Sequence, residues 1–145
     1  MANTTKVNIS GFKTRMRNIE KTIAEEGATI ALQAAKIGET EMKRIIDTSI
    51  TPTGEKRAAQ GRPSAGRRET NTMYNAVDSS GSKKQAKWGW ITKYLSYFGE
   101  QEYGKDKIQA MHSLRDSRQT VLDELPRLFK NAKARIRYRA RKASQ

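Results

Sequence analysis

The sequence predicts an α+β protein in which a small antiparallel β-sheet lies between a long N-terminal helix and a C-terminal helix. Apolar residues recur at helical spacing over the first third of the chain and again over the last third. The middle contains two β-prone runs separated by a turn rich in serine and glycine. With 145 residues, 35% of them hydrophobic, the chain has material for one core, so we expect a single domain over residues 1–145.

The N-terminal helix is predicted over residues 11–48. Its apolar side chains recur at steps of three, four and seven residues, which places them on one stripe of a helix. We expect that stripe to be mostly buried, against the sheet or against a neighbouring subunit. Its members are Phe12, Met16, Ile19, Ile23, Ile30 and Ile37. Gly27 and Gly38 each weaken a helix interior by about 1 kcal/mol, so either is a candidate position for a bend.

Residues 51–71 are predicted to form a mobile basic loop. The segment contains two prolines, three glycines and five basic residues that we expect to be exposed, and it has no large apolar residue. Its Gly61 to Gly66 stretch superficially resembles a phosphate-binding loop. The Lys and Ser/Thr that should follow the second glycine are missing, so we expect no nucleotide site there.

The two β-prone runs, residues 72–77 and 86–91, predict a hairpin over about residues 72–91 with its turn at residues 79–82. Trp88 and Trp90 are two residues apart, so on a strand their side chains share a face. Stacking of single-stranded nucleic-acid bases on such rings is an alternative, but packing or subunit contact is the more economical interpretation. The expected anchors are Trp88, Trp90, Tyr94, Tyr97, Phe98, Glu102, Tyr103 and Gly104.

The C-terminal helix is predicted from about Lys107, with a kink or break at Pro126. No acidic residue follows Glu124, so residues 127–145 form a basic helical extension. We expect it to contact the acidic surface of a partner or the phosphates of DNA; the alternative is a solvated helix end. Its cations are Arg127, Lys130, Lys133, Arg135, Arg137, Arg139, Arg141 and Lys142.

Composition and spacing argue against an enzyme. The chain has no cysteine and one histidine, which excludes thiolate chemistry and a multi-histidine metal site within one chain. Glu100 and Glu102 could form an acid–base pair, but a structural carboxylate at a tight turn is the favoured interpretation. His112 lies too close in sequence to Ser113 and Asp116 for the three to converge on one reacting atom. We therefore expect no catalytic residue, cofactor or metal.

The start of the chain lacks an apolar signal stretch, and no apolar run is long enough to cross a bilayer. We therefore expect a soluble protein that acts where it is made, with no membrane partner. The chain has 29 basic and 15 acidic residues, for a net charge of +14. Such a charge favours polyanions or acidic protein surfaces as partners.

Several short motifs occur in one order over residues 66–125. They are the stretch from Gly66 to Val77, then Trp88-Gly89-Trp90, then Tyr97-Phe98 with Gln101-Glu102-Tyr103-Gly104, and then Met111-His112 with Leu114. In this order, after a long N-terminal helix, they resemble the tail-completion proteins (neck, or head–tail joining, proteins) of long-tailed bacteriophages. Asn71 stands where that family usually has glycine, and asparagine tolerates a positive φ better than most residues. The basic C-terminus is a second departure from the family.

The resemblance implies long helices on one face of a short antiparallel sheet and a structural, non-enzymatic role. It implies a homo-oligomeric ring, a hexamer, between the capsid connector and the tail tube. The expected partners are copies of the chain, adjacent neck and tail proteins and, transiently, genomic DNA in the channel. The expected location is the virion, and the host cytoplasm during assembly. Two other classes stay open: a DNA-binding module that contacts phosphate through the basic tract, and a small toxin-like enzyme or nuclease.

Overall fold

The computed structural model describes residues 10–49, 51, 55–56, 59–61, 66–67, 71–82, 85–143 and 145. The elements are helix α1 (Ser10–Thr48), the short helix α2 (Thr72–Asn75), strands β1 (Asp78–Ser82) and β2 (Gln85–Gly89), helix α3 (Ser96–Tyr103) and helix α4 (Ser113–Ala143). The two strands pair in an antiparallel two-stranded sheet. The architecture is therefore α+β with long terminal helices packed on a small sheet, as the sequence predicts.

Helix α1 is continuous and agrees with the predicted helix to within one residue at its start. Its apolar stripe is only partly covered within one copy of the chain. Met16 and Ile23 are 42% and 52% exposed, whereas the other described members are half-buried. The side chain of Phe12 lies outside the described residues. The helix is not interrupted at Gly38; the missing side chain makes room for the Trp88 indole, which a Cβ at that position would overlap.

Helix α4 runs antiparallel to α1. Arg135, late in α4, contacts Glu26 in the first half of α1, whereas Thr120, early in α4, lies beside Glu41 near the end of α1. It begins at Ser113, so the predicted start near Lys107 is wrong. Residues 105–108 instead form a tight turn in which Lys105 and Ile108 pair as an isolated antiparallel bridge. His112 has a φ of 56°, which is incompatible with an α-helix. The helix also continues through Pro126, so the expected break is absent.

The first strand of the hairpin lies further towards the C-terminus than predicted, whereas β2 differs from the predicted second run, residues 86–91, by one residue at its start and two at its end. Residues 72–75 form a helical turn rather than a strand, and Ser79–Ser82, the predicted turn, lie in β1. The helical turn follows Asn71, whose φ of 59° suits asparagine. The serine and glycine run can be a strand because it lies directly on α1. A Cβ at Gly81 would lie 2.6 Å from the Leu32 Cα atom, so a residue without a side chain is needed where β1 approaches α1. This tertiary contact outweighs the low β propensity of serine and glycine.

The core consists of two clusters, each of which includes residues of α1. The larger one surrounds Phe98, and its buried members are Met42, Ile46, Met73, Ala76, Val77, Phe98 and Met111. The smaller one lies between the long helices and consists of Ala34, Val121 and Leu128. Trp88 packs against both clusters, and its Nε1 donates a hydrogen bond to the Ser117 hydroxyl at 2.9 Å. The hairpin thus joins α1 to α4.

Candidate functional site

The aromatic residues after β2 form a cluster built around Phe98. Phe98 is fully buried, and its ring lies 5.2 Å from Trp90, 5.9 Å from Tyr94 and 4.7 Å from Tyr97, measured between ring centroids. The Tyr94 and Tyr97 rings contact Phe98 edge to face, and such contacts add to the stabilisation from burial. Trp90 lies beyond the end of β2 and donates from Nε1 to the Met73 carbonyl at 3.0 Å. The expectation that Trp88 and Trp90 share a strand face is therefore wrong.

Several large side chains of the same segment are exposed. Of the eleven large hydrophobic side chains that are exposed in the described part of the chain, five lie between positions 91 and 103. We call these five residues the aromatic patch. Its members and their exposed fractions are Ile91 45%, Tyr94 59%, Leu95 39%, Tyr97 37% and Tyr103 71%. Tyr94, Tyr97 and Tyr103 were predicted anchors, whereas Ile91 and Leu95 were not recognised from the sequence because neither is aromatic.

Glu102 holds the start of α4. Its carboxylate accepts hydrogen bonds from the Ser113 N–H at 2.9 Å, from the Leu114 N–H at 2.8 Å and from the Ser113 hydroxyl. The first N–H groups of a helix have no partner within the helix, so a buried carboxylate there is a stabilising cap. Gly104 allows the turn between them with a φ of 81°. Glu102 is thus a structural carboxylate beside a tight turn, as the sequence analysis favoured, while Glu100 pairs with Lys105.

Arg67 joins this region to the end of α1, and no pattern in the sequence indicates this role. Its guanidinium donates to the Gln101 side-chain oxygen at 2.5 Å and to the Gln109 carbonyl at 2.7 Å. Its backbone N–H donates to the Ile46 carbonyl in the last turn of α1 at 2.9 Å. Arg67 is half-buried, so the expected exposure of all five basic residues in the 51–71 loop is wrong at this position. Most of that predicted mobile loop lies outside the described residues.

The basic C-terminal tract divides into two groups. Arg135 pairs with Glu26, Arg139 with Glu25, and Arg127 with Glu124 within its own helix. Glu26 is 4% exposed, and the hydrogen bond from Arg135 lowers its pKa although burial opposes this. The second group is exposed and has no acidic partner among the residues described. Its members are Lys130, Lys133, Arg137, Arg141 and Lys142.

The candidate catalytic groups do not assemble. His112 precedes α4, and the neighbouring Ser113 hydroxyl donates to Glu102 rather than to the imidazole. Among the described residues, no group of three His, Cys, Asp or Glu side chains is placed to hold a metal ion. In the same part of the chain, no helix combines the length and apolar character needed to cross a bilayer.

The aromatic patch and the unpaired cations lie far apart. The patch belongs to the segment between β2 and the turn that Glu102 fixes at the start of α4. The cations lie in the second half of α4, whose 31 residues span about 45 Å. No family model, curated protein or solved structure matches the chain. The features that bear on function are therefore these two surfaces and the motifs of the sequence.

Proposed function

We propose that the chain is a structural protein of the phage neck that forms a homo-oligomeric ring and joins the capsid connector to the tail tube. The observation that carries the proposal is the aromatic patch, which leaves five large apolar side chains exposed in one segment. Exposed apolar surface of this kind is typical of protein–protein contacts, and tyrosine is enriched in them. The order of motifs over residues 66–125 supports the assignment to the neck.

A neck ring needs one surface for copies of itself and another for its neighbours. The aromatic patch suits contact between copies of the chain. Identical, strongly basic chains repel one another through their charges, so apolar side chains are favoured where they meet. The unpaired cations of α4 suit contact with neighbouring proteins, because they are complementary to acidic surfaces. The patch precedes α4 and the cations lie in its second half, so both surfaces can contact partners at the same time.

Electron microscopy of the purified protein tests the proposal, which expects rings with a central channel. A second arm uses a phage strain in which the gene for this chain is inactivated. Heads and tails should then accumulate separately and should join when the purified protein is added to the extract. Normal infectious particles from the inactivated strain would contradict the proposal, and so would a purified protein that rescues joining without forming a ring.

The second candidate function is contact with DNA through the unpaired cations of α4. Five such cations with no acid among them favour phosphate binding of low sequence specificity. Affinity for a duplex should then fall steeply as salt is raised, and reversal of Lys133 and Arg137 to Glu should reduce the steepness of that fall. Arg135 and Arg139 should contribute less, because each already pairs with an acidic residue of α1.

A further inference from the structure

A groove of about 430 Å³ lies between α1 and α4. Its apolar lining consists of the half-buried Ile37 of α1 and the buried Leu128 of α4. Thr40 also lines the groove, whereas Met42, about 200° further round α1, is buried in the larger core cluster. The groove is therefore on the face of α1 that is turned away from that cluster, and it is open to a neighbouring molecule.

The polar lining of the groove suits a neutral group better than an ion. Its three ionic side chains already have partners of opposite charge within the chain. The pairs are Lys36 with Glu39, Glu41 with Arg44, and Arg127 with Glu124. Gln33 and Thr40 make no hydrogen bond to another described residue. The groove thus offers apolar contact and free hydrogen-bonding groups, but no unbalanced charge for a charged ligand to neutralise.

A tyrosine side chain has the chemistry that this lining requires, because it combines an apolar ring with one hydrogen-bonding tip. The aromatic patch presents three tyrosines, and Tyr103 is the most exposed of them at 71%. In the groove its ring would cover Ile37 and Leu128, and its hydroxyl would pair with Gln33 or Thr40. The chain therefore contains both the groove and a side chain that suits it.

The distribution of charge also favours contact between these two surfaces. The groove belongs to residues 33–44 and 116–128, which contain five basic and five acidic residues. The patch belongs to residues 91–107, which contain three of each. The whole chain has a net charge of +14, so two copies repel each other over much of their surface. They can approach with least repulsion where both surfaces are neutral.

The symmetry of a ring requires a contact between unlike surfaces. Two patches that contact each other would form a symmetric pair, and assembly would stop at two chains. A closed ring of identical chains needs one surface that contacts a different surface of the next copy. The patch and the groove can serve as these two surfaces.

We propose that Tyr103 of one copy occupies the groove between α1 and α4 of the next copy. The inference rests on the ring proposed above, and it assigns the surface that receives the aromatic patch.

The first test fills the groove. Gln33→Trp adds a large side chain at an exposed position of the groove, and the matched control Gln119→Trp adds the same side chain to α4 outside it. In analytical ultracentrifugation, Gln33→Trp should sediment as a single chain at concentrations at which the parent and Gln119→Trp assemble. Thr40→Trp provides a second blocked groove. Circular dichroism should give the same helical content for each protein.

The second test mixes two variants that should not assemble alone. Gln33→Trp keeps its patch, and the double variant Leu95→Ser with Tyr103→Ser keeps its groove. An equimolar mixture should therefore form a complex of twice the 16.4 kDa chain mass. Nothing larger should form, because the patch and the groove that remain free in this complex are the altered ones. A contact between two patches predicts instead that Gln33→Trp assembles without its mixing partner.

The third test examines Tyr103 itself. Tyr103→Ser should raise the Kd of assembly by at least about tenfold. Tyr138→Ser, which removes a 66% exposed ring outside the patch, should change it by less than about twofold. Tyr103→Phe keeps the ring and loses the hydroxyl, so its Kd should lie between those of the parent and Tyr103→Ser.

Several results would overturn the inference. These are blocked-groove variants that assemble like the parent, a loss of assembly in Gln119→Trp equal to that in Gln33→Trp, a mixture that stays as single chains, and equal effects of Tyr103→Ser and Tyr138→Ser. A parent that assembles while one of these results is obtained contradicts this inference and leaves the proposed ring intact. A parent that is a single chain at every concentration contradicts both.

Discussion

The Arg135 guanidinium donates a hydrogen bond to the Glu26 carboxylate, with Nε 2.9 Å from Oε2, although 109 residues separate the two in sequence. Glu26 is 4% exposed, so its charge is stabilised by this partner rather than by water. The contact fixes the last turns of α4 against the first half of α1. One of the cations expected to contact a partner is therefore part of the fold.

Replacement of Arg135 by Met should lower the melting temperature, because it leaves the Glu26 carboxylate buried without its main partner. Arg137→Met removes a neighbouring cation that has no acidic partner among the described residues, and it should leave the melting temperature nearly unchanged. Thermal unfolding of both variants followed by circular dichroism gives the comparison. Equal melting temperatures for the two variants would mean that the ion pair contributes nothing to stability.

The stability of the fold should decline at acid pH through Glu39. Burial raises the pKa of this carboxyl, but hydrogen bonds from Lys36, Lys43 and Ser79 outweigh it and hold the pKa at about 2. A carboxyl whose pKa is lower in the folded than in the unfolded state stabilises the fold above the unfolded value of 4.5, and this contribution is lost as the pH falls towards 2. The urea midpoint should fall over that range, and Glu39→Gln should flatten the fall. Glu20→Gln, at an exposed position, should not; an identical pH profile for Glu39→Gln and the parent would contradict the assignment.

Replacement of Glu102 by Ala should lower the free energy of unfolding by about 2 kcal/mol, because two backbone N–H groups at the start of α4 lose their acceptor. Urea unfolding monitored by tryptophan fluorescence measures the loss. The matched control is Glu100→Ala, whose carboxylate pairs with Lys105 at the surface, and its effect should stay within about 0.5 kcal/mol. A loss no greater than that of the control would refute the role of Glu102 as a cap.

Two glycines of the same helix should respond in opposite ways to an added methyl group. Gly38→Ala should destabilise the protein by about 1–3 kcal/mol, because its Cβ would overlap the Trp88 indole. Gly11→Ala has nothing within 4 Å of the new atom and should stabilise the protein slightly, since alanine favours helix. Melting temperatures of the two variants decide this, and a stabilised Gly38→Ala variant would show that Trp88 does not lie over α1.

The parts of the fold that the sequence predicts correctly are those governed by local periodicity. Helix α1 was predicted almost to the residue because its apolar spacing is regular over many turns. The first strand is predicted too early because β propensity points to residues 72–77, whereas contact with α1 selects the small residues of β1. The start of α4 was predicted too early because a positive φ at His112 cannot be recognised in the sequence.

The candidate surfaces were predicted only in part, for a related reason. Aromatic residues indicate a contact region by their chemical type, but whether each one is exposed depends on the tertiary fold. Phe98 is therefore buried in the core, whereas Tyr103 is exposed. The role of Arg67 depends on two carbonyl or amide oxygens more than thirty residues away, at Gln101 and Gln109, which no local pattern indicates. The pairing of Arg135 and Arg139 with α1 likewise depends on the antiparallel alignment of the two long helices.

The mass of the purified protein in solution tests the central claim most directly, because that claim is self-assembly through the aromatic patch. Analytical ultracentrifugation should give a multiple of the 16.4 kDa chain mass for the parent and a single chain for the double variant Leu95→Ser with Tyr103→Ser. Leu32→Ser, which removes a 59% exposed side chain outside the patch, should assemble like the parent, and circular dichroism should give the same helical content for all three proteins. A parent that sediments as a single chain at every concentration, or a double variant that assembles like the parent, would contradict the claim.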